Sequence, residues 1–112
     1  MANMVTLKRG KNYLLAELSG EVILENSTIA KNEIKSALLP EDRNVIVDLT
    51  RVTLLDSAGV GILISILKNL DGGRVLVVAE KGPVHRVLEI TRMDQIVSIF
   101  PSVTEAIDSL DS

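Results

Sequence analysis

The chain contains no cysteine and a single histidine, His85. Without thiols the protein can form neither disulfide bonds nor thiolate metal sites, and one imidazole gives no basis for a histidine-rich metal centre. Aromatic residues make up only 2% of the sequence, which leaves little surface on which nucleic-acid bases could stack. We therefore predict a protein with no cofactor and no metal ion, whose core is built from aliphatic side chains.

An excess of basic charge is also absent. Twelve Lys and Arg residues face fifteen Asp and Glu residues, for a formal charge of −3. Because phosphate backbones are bound by basic faces, we expect no nucleic-acid partner. No stretch approaches the ~18 apolar residues of a membrane span, and the first ten residues lack the pattern of a secretory signal. The sequence predicts a cytoplasmic protein without membrane insertion.

The length and apolar content suit one globular unit. A chain of 112 residues can build one real core, and a hydrophobic share of 46% is typical of folded proteins. No repeat, low-complexity tract or linker interrupts the sequence. We predict a single domain that spans residues 1–112.

Runs of apolar residues predict strands. Two such runs, Met4 to Lys8 and Tyr13 to Leu18, flank a turn that contains Gly10 and Asn12, which indicates a β-hairpin. Near-continuous apolar runs are typical of strands covered on both faces. Later runs of this kind are Val45–Leu49, Val75–Ala79 and the shorter Ile96–Phe100.

Helices are predicted between and after these strands, from capping residues and from the period of apolar positions. Their expected starts are Asn26 or Ser27, Ser57, Pro83, and Ser102, which forms a capping box with Glu105. The order ββαβαβαβα predicts an α/β fold with a mixed central sheet of about five strands, an N-terminal β-hairpin and four helices. Before the first helix, Glu21 to Glu25 is expected to form a loop whose apolar residues tuck inward or face a partner.

The helix predicted from Ser57 to Leu70 has an apolar stripe. At about 100° per residue, Val60, Leu63, Ile64 and Leu67 share one face, whereas Ile62 lies opposite them. Three interpretations of Ile62 are open: a neighbouring helix covers it, it is a single exposed apolar residue, or it forms part of a docking face with Gly59 and Ile66. The residues expected to be nearly fully buried are Val47, Leu49, Leu63, Leu67, Val77 and Leu88.

A carboxylate and a hydroxyl stand together where this helix begins. Asp56 or Ser57 is expected to cap it by accepting a hydrogen bond from a backbone N–H. A serine there commonly does nothing more. A phosphate on Ser57, however, would lie at the positive end of the helix dipole and add roughly −1.5 to −2 charges. Such a charge could release a docked partner without unfolding the domain.

The order of elements and the segment VIVDLTRVTLLDSAGVGILISIL resemble the STAS domains, most closely the bacterial anti-sigma-factor antagonists. Members have a strand with a terminal Asp, then a crossing segment, then Asp-Ser-(Ser/Ala)-Gly-(Leu/Val)-Gly at a helix start. The matching residues here are Asp48, Asp56, Ser57, Ala58, Gly59, Val60 and Gly61. LSGE after the second strand and the closing VHRVLEITRMDQIVSIFPSVTEAI extend the resemblance over nearly the whole chain.

The resemblance implies a small switch protein of transcription. Its unphosphorylated form would bind an anti-sigma factor, itself a serine kinase, and so free a sigma factor. The kinase would phosphorylate Ser57 and break the complex, and a separate phosphoserine phosphatase would restore it. The residues expected to bind the partner around Ser57 are Asp56, Ala58, Gly59, Gly61, Ile62, Glu21 and Ile23. A weak homodimer is left open.

One departure from the family pattern concerns the loop after Glu21. Many members have an Asp shortly after this Gly-Glu pair, whereas Val22, Ile23 and Leu24 follow here. Either another group, such as Glu21 or Glu25, performs the role of that carboxylate in this chain, or the role is absent. An alternative inside the family therefore stays open: a STAS subunit of a scaffold or transport complex that binds its partner without a phosphorylation cycle.

Two other classes fit less well. Asp48, Asp56 and Ser57 resemble an acid–nucleophile cluster, but no histidine lies nearby in sequence to act as base. His85 opens a different helix, where Glu89 at i+4 is its expected partner. A response-regulator receiver would need an acidic pair near its first strand, which the run from Met4 to Lys8 lacks. We predict a binding protein and not an enzyme.

Overall fold

The computed structural model describes residues 4–111, so residues 1–3 and 112 of the predicted domain lie outside the described part. The described residues form a five-stranded sheet with helices on both faces. In chain order the elements are β1 (Val5–Arg9), β2 (Leu14–Val22), α1 (Leu24–Ala37), β3 (Asn44–Leu55), α2 (Ser57–Asn69), β4 (Arg74–Val78), α3 (Pro83–Ile90), a 3₁₀ turn (Met93–Gln95), β5 (Ser98–Phe100) and α4 (Val103–Asp108). This is the predicted order ββαβαβαβα.

The sheet is mixed, as predicted. Its strands lie in the order β1-β2-β3-β4-β5. β1 and β2 form the antiparallel hairpin, whereas β2 to β5 are parallel to one another. Parallel neighbours need crossover connections, which helices α1, α2 and α3 provide. The carboxyl ends of β2 and β3 therefore lie side by side at one edge, where α1 and α2 begin.

Two apolar layers hold the sheet. The larger layer joins one sheet face to helices α1, α2 and α3, with Ala30, Ile34, Leu63, Ile66 and Leu88 fully or almost fully buried. The smaller layer packs α4 on the opposite face, through Ala106 against Leu15, Ile46, Leu76 and Val78. Ser102 caps α4 as predicted, because its hydroxyl accepts a hydrogen bond from Glu105 N at 3.2 Å.

Strands β2 and β3 are longer than the sequence predicted. β2 continues to Val22 and β3 to Leu55, through segments interpreted as a loop and a crossing segment. Ser19 pairs with Arg51 and Val22 with Leu55, across register shifts that follow Glu17 and Gly20. The two segments are strands because their backbones pair with each other. The strand prediction relied on continuous apolar runs, which these segments lack. This pairing is non-local, so neither segment reveals it alone.

Helix α1 also starts earlier than predicted. It begins at Leu24 with Ile23 at the N-cap, and not at Asn26 or Ser27. The Asn26 side chain still serves the helix start, because its oxygen accepts a hydrogen bond from Ile23 N at 2.9 Å and its amide donates to Glu21 O at 2.7 Å. A polar side chain in the first turn thus reaches back over the apolar cap residue.

The buried face of α2 is rotated from the predicted one. Val47, Leu49, Leu63, Val77 and Leu88 are buried as expected. The prediction for Leu67 is wrong, since it is only half-buried, and Ile64 is 37% exposed. Helix α2 is covered by α1 as well as by the sheet, which moves its buried face toward Ile62 and Ile66.

An ion pair connects the first hairpin to the segment between α1 and β3. Arg9 donates to both carboxylate oxygens of Asp42, at 2.6 and 3.2 Å, and to Ala37 O at 2.9 Å. Asp42 also accepts a hydrogen bond from Leu39 N at 2.7 Å. The hydrogen bond from Arg9 is the main reason that the pKa of Asp42 lies below its ordinary value. Arg9 and Asp42 are 33 residues apart, so no local sequence pattern predicts this pair.

We predict that Leu63→Ala lowers the free energy of unfolding by about 2–5 kcal/mol, because it leaves a cavity in the larger core layer. The matched change Ile64→Ala removes a side chain that is 37% exposed and should cost less than about 1.5 kcal/mol. Urea denaturation of both variants measures the difference. A larger loss for Ile64→Ala would mean that the helix is rotated the other way.

We also predict that Arg9→Gln is destabilising near pH 7 and that the difference from wild type shrinks in acid. The folded-state pKa of Asp42 is lowered, so its stabilisation is present above the unfolded pKa of about 4 and is lost as pH falls through the folded pKa. Denaturation midpoints at several pH values provide the measurement. Lys8→Gln is the control, because the Lys8–Glu17 pair is more exposed, at 63% and 33%. A difference that stays constant from neutral to strongly acidic pH would contradict this role of the ion pair.

Candidate functional site

The Asp56 carboxylate fixes the junction of two helices. One carboxylate oxygen, Oδ1, accepts a hydrogen bond from Gly59 N at 3.0 Å and so caps α2. The other, Oδ2, accepts one from Leu24 N at 3.1 Å, at the start of α1. The backbone N–H of Asp56 donates to Val22 O at 3.3 Å. Of the two predicted cap residues, Asp56 is therefore the one that caps α2.

Ser57 is the first residue of α2 and is exposed. Its hydroxyl makes no hydrogen bond to any residue in the range 4–111. Because Asp56 supplies the cap, the local structure does not use the Ser57 side chain. The hydroxyl lies at the end of a 13-residue helix where the macrodipole favours negative charge. This geometry permits modification of the oxygen without breaking a contact of the fold.

The two glycines of the motif have different surroundings. Gly59 is buried, and a Cβ atom there would lie 2.5 Å from the Leu55 side chain and 2.7 Å from Val22 O. The close approach that Gly59 permits is thus to its own chain, which corrects its expected role in partner contact. A Cβ atom on Gly61 would meet no atom within 4 Å. Gly61 leaves open space on the helix surface.

Apolar side chains surround the helix entrance. Val22 and Leu24 lie beside it, because Val22 O accepts a hydrogen bond from Asp56 N and Leu24 N donates one to Asp56 Oδ2. Leu24 is 74% exposed, and Leu54 at the end of β3 is 49% exposed. Ile23 is half-buried. Exposed apolar side chains therefore occur at the start of α1 and at the end of β3.

Glu21 is exposed near the end of β2, where its backbone pairs with Leu54. It therefore belongs to the same edge of the sheet as the helix entrance. Leu24 and Leu54 were not among the residues expected to bind the partner. Leu24 belongs to the loop expected to tuck inward or face a partner, and Leu54 lies beyond the strand predicted for Val45–Leu49. Their exposure follows from the strand ends, which the sequence placed too early.

The expectation that Ile62 contributes to an exposed docking face is wrong. Ile62 is only 2% exposed and belongs to the larger core layer. Helix α1 packs against this side of α2 and covers the side chain. The interpretation in which a neighbouring helix covers Ile62 is confirmed.

Asp48 is separated from the helix entrance. It is 8% exposed, and its Oδ1 accepts a hydrogen bond from Thr50 N at 2.9 Å. Because side chains alternate along a strand, Asp48 shares the α4 face of the sheet with Ile46, whereas α2 covers the opposite face. His85 is on α3, 3.3 Å from Glu89 as predicted. The structure does not bring an acid–base–nucleophile cluster together at Ser57.

Neither a metal-binding cluster nor a membrane-spanning helix is present in residues 4–111. In that range no three or more His, Asp or Glu side chains are arranged to hold a metal ion. No helix in the same part of the chain combines the length and apolarity needed to span a bilayer.

Comparison with known proteins gives a family match over most of the chain. The model of the family described as the STAS domain matches residues 4–106. A Thermotoga neapolitana protein, named as a proposed anti-sigma factor antagonist, is 31% identical over 93 residues, which are 80% of this chain and 82% of that protein. The anti-sigma F factor antagonist of Paenibacillus polymyxa is 24% identical, and the match covers 96% of this chain and 94% of that protein.

A solved structure agrees with the fold. The crystal structure of an anti-sigma factor antagonist from Mycobacterium paratuberculosis superposes with a TM-score of 0.88 at 19% identity. The match covers 96% of this chain and 93% of that one. At this identity the likeness establishes the shared architecture of sheet and helices.

We predict that alanine destabilises the protein at Gly59 but not at Gly61. Gly59→Ala should lower the free energy of unfolding by about 1–3 kcal/mol, because its methyl group collides with Val22 O and Leu55. Gly61→Ala should be neutral or stabilise by up to about 1 kcal/mol, since alanine favours the helix and the space is open. Thermal and urea unfolding measure both. Equal destabilisation would show that the two sites are packed alike.

Proposed function

The chain belongs to the STAS domain family, and we propose that it acts as an anti-sigma-factor antagonist controlled by phosphorylation of Ser57. In this proposal the unphosphorylated protein binds an anti-sigma factor that is also a serine kinase, and a sigma factor is set free. Phosphorylation of Ser57 ends the complex, and a phosphoserine phosphatase restores the binding form. Such a switch operates in the cytoplasm, where transcription takes place, so we expect the protein there. The names of the curated relatives support the general role.

The observation that carries the proposal is the free hydroxyl of Ser57. A serine at a helix start ordinarily serves as a cap, but here Asp56 accepts the capping bond from Gly59 N. Ser57 is exposed and has no hydrogen-bond partner among the described residues. A kinase could therefore reach the oxygen without local unfolding. A phosphoryl group there would also be compatible with the positive end of α2.

The same geometry suggests how a phosphate would act. It would add roughly −1.5 to −2 charges next to the Asp56 carboxylate, whose oxygens are both held by backbone N–H groups. Leu24 and Leu54 near the helix entrance offer apolar surface to a partner. Docking would then have to desolvate the new charge against an apolar interface, which is unfavourable. Partner release follows while the fold stays intact.

The partner-binding surface in this proposal lies around the start of α2. Ala58 and Gly61 contribute small residues on the helix, and Glu21 and Ile23 contribute the end of β2. We add the exposed Leu24 and Leu54 to this set. Ile62 and Gly59 act from below the surface, by packing α2 against α1 and against β2.

We predict that Ser57→Asp weakens binding to the cognate anti-sigma kinase at least about tenfold, equivalent to 1.4 kcal/mol, because it introduces charge into the docking surface. Ser57→Ala should bind like wild type and accept no phosphate. Ser36→Asp is the matched control, since Ser36 is exposed near the far end of α1. Calorimetry measures affinity, and mass spectrometry after incubation with kinase and ATP locates the phosphate.

The outcome also separates this proposal from its alternative in the family. If Ser57 gains no phosphate and Ser57→Asp binds like wild type, the switch is excluded. Binding without phosphorylation would instead favour a scaffold or transport-complex subunit. Such a result would agree with one feature of this chain: Val22, Ile23 and Leu24 include no acidic residue, and Leu24 is 74% exposed.

A further inference from the structure

A groove between α1 and α2 adjoins the Ser57 helix entrance and encloses about 180 Å³. Helix α1 lines it with Ser27, Thr28 and Lys31, and helix α2 lines it with Ala58, Gly61, Ile62 and Ser65. The missing side chain at Gly61 opens the α2 wall, because no atom lies within 4 Å of where its Cβ would be. Its buried floor includes Ile62, which is 2% exposed. The groove is therefore open to solvent and mostly polar at its rim.

Lys31 gives the groove a positive charge that nothing in the described chain neutralises. The side chain is half-buried and forms no ion pair or hydrogen bond with residues 4–111. On a helix, acids three or four residues away are the usual partners of a lysine. The residues at these positions are Ser27, Thr28, Ile34 and Lys35, none of which is acidic.

The other polar groups of the groove are suited to the same kind of ligand. No carboxylate lines it, and two of its hydroxyls, on Thr28 and Ser65, make no hydrogen bond to the residues that the structure describes. A hydroxyl can donate one hydrogen bond and an ammonium group can donate three. Three side chains around one small cavity can thus act as donors, one of them charged. A carboxylate fits this arrangement because it only accepts hydrogen bonds.

We propose that this groove receives an Asp or Glu side chain of the anti-sigma factor and that Lys31 determines specificity for it. The inference rests on the proposed function, because it names the chemistry of the same partner. Ser57 and Gly61 are separated by four residues and so share a face of α2. A partner docked over Ser57 therefore extends over the groove, and Lys31 meets the carboxylate at the edge of the interface.

The groove also gives phosphorylation a second means of releasing the partner. A phosphate on Ser57 carries the same sign of charge as the carboxylate that enters one turn away. Like charges placed together across an interface oppose binding of that partner. The phosphate would in addition compete for the Lys31 ammonium group. Charge on Ser57 and charge in the groove are therefore coupled.

The test compares two charge reversals that change the net charge equally. Purified serine-kinase anti-sigma factors from the source genome are screened by calorimetry, and the one that binds wild type is the probe. Lys31→Glu should weaken its binding at least about tenfold, and Lys31→Gln by a smaller factor. Lys11→Glu should change it less than about twofold, because Lys11 is exposed in the hairpin at the opposite end of the sheet. If the partner's Asp or Glu that contacts Lys31 is changed to Lys, this partner variant should bind the Lys31→Glu protein.

Equal effects of Lys31→Glu and Lys11→Glu would overturn the inference while leaving the proposed function intact. Loss of self-association by Lys31→Glu in sedimentation, with unchanged affinity for the probe, would assign the groove to a second copy and also overturn it. If none of the purified anti-sigma factors binds wild type, the proposed function itself fails and the inference fails with it.

Discussion

The arrangement of the candidate site depends on one carboxylate. Asp56 accepts hydrogen bonds from the first turn of α2 and from the first residue of α1, while its own N–H bonds to the end of β2. An aspartate at a helix N-cap usually satisfies one orphan N–H group. Here it satisfies one in each of two helices. The carboxyl edge of the sheet, the two helix starts and the surface around them are thereby held in one geometry.

Ser57 owes its availability to this arrangement. Since the neighbouring residue does the capping, the serine hydroxyl has no structural task among the described residues. The same division of tasks applies to the glycines: Gly59 lets α2 approach Val22 closely, and Gly61 leaves the outer surface bare. A rigid entrance with an exposed, unused hydroxyl is the physical basis on which the proposed phosphorylation switch rests.

The sequence predicted those parts of the site that depend on residues close together in the chain. Asp56 and Ser57 at a helix start could be read from capping preferences, and the element order from alternating apolar runs. The missed features all require contacts between distant segments. The ends of β2 and β3, from Ser19 to Val22 and from Arg51 to Leu55, lack a continuous apolar run and are strands because their backbones pair with each other. Burial of Ile62 depends on α1, and Lys31 lines a groove with residues of α2 only because α1 lies against α2.

In the proposed switch, a phosphate on Ser57 changes the surface of the protein and leaves the fold unchanged. Amide NMR spectra recorded before and after phosphorylation by the anti-sigma kinase test this most directly. If phosphorylation changes only the surface, chemical shifts change only at the starts of α1 and α2, hydrogen-exchange protection in β2 to β5 is unchanged, and the phosphorylated form no longer binds the kinase. Shift changes throughout the sheet, or undiminished kinase binding by the phosphorylated protein, would contradict it.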